Sequence, residues 1–140
     1  MTVKEKLSIF YTENKLGKDG GVNKNWNQFN IGKFFFLFPN LNKKGYLLHD
    51  VNHLLCKYGI EWYNEFEVAA WELGSGGRKG FGLSWFYPIV GSLIGLVWIP
   101  RRTIKAYKLG LKRINAHVLS RENEIFEMDF EHLYRLSYKS

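Results

Sequence analysis

Two histidines and a neighbouring aspartate in the middle of the chain have the residue types and spacing of a metal site. His49 and His53 are four residues apart, so on a helix both imidazoles project from one face, about one turn apart. Two imidazoles at this spacing can bind one metal ion. Asp50 is rotated by about 100° from His49. It therefore either adds an oxygen ligand or orients a histidine through a hydrogen bond.

Glu65 joins this ligand set if the chain forms a helical hairpin. Gly59 follows His53 by six residues and precedes Glu65 by six. If the chain reverses at Gly59, two antiparallel helices bring His53 and Glu65 to the same level. Three protein ligands with an open position suit a metal ion that polarises an oxygen or activates water. The same ligands also suit iron(II) or manganese(II), so they do not choose the metal.

The remaining acids and histidines are expected to lie outside the ligand set. Glu61, Glu67 and Glu72 are predicted to be solvent-facing helix charges, with Glu61 and Glu72 as reserve ligands. His117 and His132 have no carboxylate at ligand spacing, so we expect both of them at the surface.

We predict an all-α fold with a single compact helical domain, in which an antiparallel helix pair carries these residues. We predict one helix that begins between Leu41 and Gly45 and ends at Tyr58, and a second from Ile60 to Leu73, followed by a break at 74–80. Residues 1–40 would supply a short helix, a glycine-containing loop at 16–25 and an aromatic segment that packs on the core. For the aromatic stretch 26–38 the sequence does not decide between helix and strand, because a continuous apolar run shows no period. Residues 41–140 would form the helical core.

A central uncharged segment, residues 81–99, allows several interpretations. It has the length of a membrane-spanning helix, but Pro88 and three glycines lower its helix propensity. It is either a core helix or pocket wall, or a segment that dips into or spans a membrane. Gly91 and Gly95 have the spacing that lets helices approach closely.

A basic amphipathic helix is predicted to follow at 101–118. Arg101, Lys105, Lys108 and Lys112 form one stripe, and apolar side chains fall on a different face. The stripe is either a solvated helix face or a contact with anionic phospholipid.

Bulk composition fits a folded, basic protein. The chain has 140 residues, 46% of them hydrophobic, and a net charge of +7. Its single cysteine, Cys56, excludes an intramolecular disulfide. The N-terminus lacks the features of a secretory signal or a transit peptide, so we expect a cytoplasmic protein peripheral to the membrane. We expect no nucleic-acid partner, because the basic groups are not interleaved with aromatics in a recognisable module.

The motif formed by these residues resembles that of the Coq-four family of ubiquinone (coenzyme Q) biosynthesis proteins. His49, Asp50, His53 and Glu65 read as HDxxH-x11-E, and Lys57-Tyr58-Gly59 is similar to the turn of that family. Asn64 to Trp71 is similar to its second helix. The likeness covers roughly residues 41–138.

This resemblance implies a helical, membrane-associated protein with a metal site that holds zinc, with iron and manganese as alternatives. His49, Asp50, His53 and Glu65 would be the metal ligands. The implied ligand is a prenylated quinone precursor or another isoprenoid lipid, and Gly91, Gly95, Arg101 and Lys105 are the residues expected to contact it. The implied activity is oxidative decarboxylation and hydroxylation at C1 of the quinone head group. The alternative is a non-catalytic scaffold for other quinone-biosynthesis enzymes. A homodimer is a further expectation.

Overall fold

Helices make up most of the computed structural model, which describes residues 1–20, 26–31, 33–39, 43–80, 82–121 and 123–140. In chain order they are α1 Val3–Glu13, α2 Lys43–Cys56, α3 Trp62–Gly74, α4 Phe86–Trp98, α5 Pro100–Gly110, α6 Ala116–Leu119, α7 Glu124–Glu127 and α8 Phe130–Leu136. The predicted all-α class is confirmed. Residues 21–25 of the predicted loop, and Leu41 at the predicted helix start, lie outside the described residues.

The aromatic stretch that the sequence left undecided forms a β-hairpin. Its strands are β1 Trp26–Ile31 and β2 Phe34–Pro39, which pair antiparallel with Trp26 opposite Pro39 and Ile31 opposite Phe34. Aromatic side chains fit a pleated surface well, which accounts for strands in a run without helical period. Phe34 and Phe35 are exposed where β2 begins.

The turn between α2 and α3 begins earlier than predicted. α2 ends at Cys56 because Lys57 adopts a left-handed conformation, with φ of 61°, so Gly59 is not the residue that ends the helix. The new helix begins after Glu61, whose backbone N–H donates to the Asn64 side chain. Reversal nevertheless occurs around Gly59, as the hairpin prediction requires.

The centre of the fold is α3, which packs against both α4 and α5. The α3 and α5 backbones approach so closely that a Cβ at Gly110 would overlap the carbonyl oxygen of Trp71. A Cβ at Gly74 would likewise overlap the carbonyl oxygen of Tyr107. Glycine is therefore required at both positions by backbone contact between helices.

Only one face of α4, which covers most of this uncharged segment, is buried. Its buried residues are Pro88, Gly91, Ser92 and Gly95. The opposite side, which we call the outer face, carries large exposed apolar side chains: Phe86, Ile89, Leu93, Leu96, Val97 and Trp98. Among the described helices, none combines the length and the apolar character needed to cross a bilayer.

The predicted helix at 101–118 is interrupted. α5 ends at Gly110, and α6 begins only at Ala116, where the Asn115 side chain accepts a hydrogen bond from the N–H of Val118. The residues that α5 buries are small, since Thr103, Ala106 and Gly110 face the core. Its large apolar side chains are therefore left exposed beside the basic stripe.

The N-terminal helix is part of the same core. Val3, Leu7 and Tyr11 of α1 are buried in one hydrophobic cluster with side chains of α2, α3 and the C-terminal helices. Thr2 caps α1 and forms a capping box with Glu5. α1 thus reaches the neighbourhood of the histidines, where Phe10 lies 5.9 Å from the His53 ring.

Candidate metal centre

His49, His53 and Glu65 converge on one point. Each offers a ligand atom, and these atoms lie within 4.8 Å of one another. The two Nε2 atoms are 3.2 Å apart, His49 Nε2 is 3.1 Å from Glu65 Oε2, and His53 Nε2 is 3.2 Å from Glu65 Oε1. α2 supplies both imidazoles and α3 the carboxylate, so the predicted hairpin brings these three residues together.

The other ring nitrogen of each histidine already has an acceptor. His49 Nδ1 lies 2.8 Å from Glu72 Oε1, and His53 Nδ1 lies 3.3 Å from the carbonyl oxygen of Tyr58. Because a carboxylate and a carbonyl only accept, each Nδ1 carries a proton. A neutral imidazole with a protonated Nδ1 presents a bare lone pair at Nε2. Both lone pairs then face each other and the Glu65 carboxylate.

This convergence of acceptors requires a positive charge, and the donor set fits a divalent metal. In the metal-free protein a proton on His49 supplies the charge. Burial alone would lower the pKa of His49, but the carboxylates of Glu72 and Glu65 overcome burial and raise it to about 10. Burial alone would raise the pKa of Glu65, but His53 and His49 hold it well below its usual range. A metal ion with two imidazoles and a carboxylate satisfies the same groups.

Glu72 supports the site from behind and is not the solvent-facing charge that we predicted. Its side chain is 0% exposed. It accepts hydrogen bonds from Asn52 Nδ2 at 2.6 Å and from Arg78 Nη2 at 2.8 Å, besides its contact with His49. Asn52 Oδ1 in turn accepts from the N–H of Ala116. A carboxylate on the outer nitrogen of a metal-binding histidine fixes the ring and strengthens it as a ligand.

Two other residues were also expected at the surface and are buried. His117 is 8% exposed, with Nε2 3.7 Å from Glu72 Oε1. Glu67 is also buried, and it accepts from Arg102 at 2.8 Å and from Asn64 at 3.0 Å. Both predictions are wrong because tertiary packing buries each residue: Glu67 pairs with Arg102 of α5, and His117 of α6 lies next to Glu72 of α3. His132 is exposed, as predicted.

Tyr87 contributes a hydroxyl to the centre, and no pattern in the sequence predicted this contact. Its Oη lies 2.8 Å from Glu65 Oε2 and 2.9 Å from the Glu65 carbonyl oxygen, and both of these atoms accept. Its ring meets the His49 imidazole edge to face, with centroids 4.6 Å apart. Tyr87 therefore restricts the orientation of the one carboxylate in the ligand group.

Asp50 lies outside the group of three converging ligand atoms. Its Oδ2 accepts a hydrogen bond of 2.8 Å from the Tyr11 hydroxyl of α1. Burial is the main reason that the pKa of Asp50 is raised. Its role as a metal ligand stays a prediction, and its observed contact is with the N-terminal helix.

The residues predicted to contact a lipid separate into two pairs. Gly91 and Gly95 do not leave room for an isoprenoid chain, because Ala69 fills the space beside Gly91, and Phe66 and Thr103 fill that beside Gly95. The glycines serve close packing of α4 on its neighbours. Arg101 and Lys105 line an open groove of about 330 Å³ on α5, which we call the basic groove, together with Ile104, Lys108, Leu109 and Lys112.

Comparisons with known proteins identify no relative. No protein-family model matches the chain, and no curated protein or solved structure matches it either. The resemblance to the Coq-four family therefore rests on the motif residues themselves.

Zinc binding is expected to release about one proton per ion near pH 8, because the proton on His49 must leave before Nε2 can bind. Zinc affinity should rise with pH until the pKa of His49, about 10, is passed, and fall as pH is lowered. Calorimetric titrations in two buffers of different ionisation enthalpy measure the proton count. Equal heats in both buffers would contradict the assignment of His49 as a ligand.

Proposed function

We propose that the chain is a zinc-dependent protein of quinone biosynthesis, of the Coq-four type, which acts on a prenylated aromatic acid at a membrane surface. The observation that carries the proposal is the convergence of His49 Nε2, His53 Nε2 and Glu65. The HDxxH-x11-E motif supports the choice of substrate class.

The residues of the site have distinct roles under this proposal. His49, His53 and Glu65 hold the ion, Glu72 fixes the His49 ring, and Tyr87 orients Glu65. A divalent ion with an open position supplies a Lewis acid that polarises a carboxylate or phenol oxygen of the head group. Phe10 and Tyr87 provide aromatic walls next to the histidines, which lowers the local polarity.

Turnover by the zinc-loaded protein tests the enzymatic form of the proposal. A prenylated aromatic acid with an isotope-labelled carboxyl group is incubated with the protein in air, and labelled carbon dioxide is measured. We expect release that stops after chelation and returns with zinc. Binding of the acid without any release would instead establish the non-catalytic scaffold.

The scaffold alternative has an observation of its own in its favour. The outer face of α4 exposes six large apolar side chains, and the basic groove of α5 follows directly in the chain. Apolar side chains beside lysines and arginines are typical of proteins that lie on anionic bilayers. A protein seated this way could present a prenyl lipid to partner enzymes.

Val97→Asp is expected to weaken binding to anionic vesicles about tenfold, since a carboxylate would enter the interface where Val97 is 78% exposed. Ile9→Asp on α1 is the matched control, because Ile9 is also an exposed apolar residue. Vesicle co-sedimentation measures both variants against the unmodified chain. If the two variants bound the vesicles equally well, the outer face of α4 would not be part of the membrane contact.

A further inference from the structure

A second pocket lies behind the metal centre and is lined by cations. Its volume is about 180 Å³, and its wall includes Lys44, Arg78, Lys79, Ser84 and His117. This volume is many times what a single water molecule needs, so the pocket has room for a tetrahedral oxyanion. None of its lining residues is acidic.

The charges of the pocket are only partly compensated. Arg78 pairs with the buried Glu72 at 2.8 Å, and the same carboxylate also accepts a hydrogen bond from Nδ1 of His49. Lys79 Nζ donates to the neutral carbonyl oxygen of Ser120 at 2.7 Å, which leaves its charge unbalanced there. The side chain of Lys44 adds another positive charge. Such like charges around one cavity repel each other, and a bound anion relieves the repulsion.

Two features of the wall also suit an anion. Lys44 belongs to the first turn of α2, and the positive end of the helix dipole favours negative charge there. The buried His117 Nε2 has no hydrogen-bond partner among the described residues, and Glu72 Oε1 is 3.7 Å away. His117 is thus a wall residue whose buried Nε2 has no hydrogen-bond partner among the described residues.

We propose that this pocket binds the phosphate group of a small molecule, either inorganic phosphate or a phosphate monoester. Lys44 and Lys79 would carry the charge recognition, Ser84 would offer a hydroxyl, and Arg78 would present further N–H donors while staying paired to Glu72. The site is distinct from the metal centre, and the two share only the supporting carboxylate of Glu72. The proposal does not depend on the proposed quinone function.

Adjacent lysines provide a matched test. Lys43 and Lys44 are neighbours at the start of α2 and both are exposed, but only Lys44 lines the pocket. Binding of inorganic phosphate and of methyl phosphate is measured by calorimetry at constant ionic strength, with a chelator present so that no metal ion can bind the anion. We expect Lys44→Ala to weaken binding about tenfold and Lys43→Ala to leave it unchanged. Lys79→Ala should weaken binding similarly.

The two ligands distinguish the source of the phosphate group. Equal affinities would assign the pocket to free phosphate, and tighter binding of methyl phosphate would assign it to an ester. The proposal is overturned if the unmodified chain binds neither ligand, or if the Lys43 and Lys44 variants lose the same affinity. The second result would mean that the anion is attracted only by the general positive charge.

Discussion

His53→Ala is expected to weaken zinc binding by more than about a hundredfold. A hundredfold loss is the upper range for substitutions of residues that only hydrogen-bond to a metal ligand. His53 Nε2 faces both His49 Nε2 and the Glu65 carboxylate, at 3.2 Å in each case. Its removal leaves one imidazole and one carboxylate, and a divalent ion is held poorly by two ligands. Competition with a chromogenic chelator measures the change in dissociation constant.

Loss of packing must be separated from loss of the ligand, because His53 is buried. His53→Gln keeps most of the side-chain volume and should lose zinc affinity while retaining the cooperative unfolding of the chain. His132→Ala is the control, since His132 is exposed and is also a histidine on a helix. If the His53 and His132 variants bound zinc equally well, the site assigned here would be wrong.

Gly110→Ala is expected to destabilise the fold by about 2 kcal/mol or more. The added methyl group would overlap the backbone carbonyl of Trp71, and a Cβ there would also lie 3.1 Å from the Trp71 Cα. Backbone atoms cannot rotate away as a side chain can, so α5 would have to separate from α3. Denaturant unfolding measures the change.

The expected destabilisation is opposite in sign to the usual effect of a glycine-to-alanine substitution in a helix. In a helix with free space, glycine to alanine stabilises by roughly 0.5–1 kcal/mol, because alanine loses less conformational entropy on folding. A stabilised Gly110→Ala variant would therefore show that α3 and α5 do not approach as described. Gly95→Ala should cost less than Gly110→Ala, since its nearest obstacle is the Thr103 hydroxyl at 2.5 Å, which belongs to a side chain.

The core of the site was predictable from the sequence because it depends on local spacing. His49 and His53 share a helix face at four residues apart, and a reversal around Gly59 sufficed to add Glu65. The exact turn residue mattered little, so placing the helix end at Tyr58 and not at Cys56 did not spoil the prediction. Helical period and chain reversal are both readable from one sequence.

The residues that hold the ligand side chains in place were only partly predictable from the sequence. Glu72 follows Glu65 by seven residues, which places the two carboxylates on nearly the same face of α3, and this spacing was a usable signal. Arg78 pairs with Glu72 from a loop, His117 of α6 lies 3.7 Å from the same carboxylate, and no local pattern connects these residues. Tyr87 reaches Glu65 across a helix contact, which is likewise set by tertiary packing.

The uncharged segment shows where composition misleads. Absence of charge suggested that residues 81–99 would form a core helix or pocket wall, or would dip into or span a membrane. In the fold, α4 packs through small residues such as Gly91 and Gly95, which leaves Leu93 and Val97 exposed. Hydrophobicity reports the cost of exposure to water, but it does not say which face of a helix finds a protein partner.

X-ray absorption at the zinc edge of the purified, zinc-loaded chain addresses the metal centre most directly. The proposed site predicts one zinc per chain with two imidazole nitrogens and carboxylate oxygen in its coordination shell, and one imidazole fewer in His53→Gln. A spectrum without imidazole scattering, or one that is identical in the His53→Gln variant, would show that the zinc is bound elsewhere.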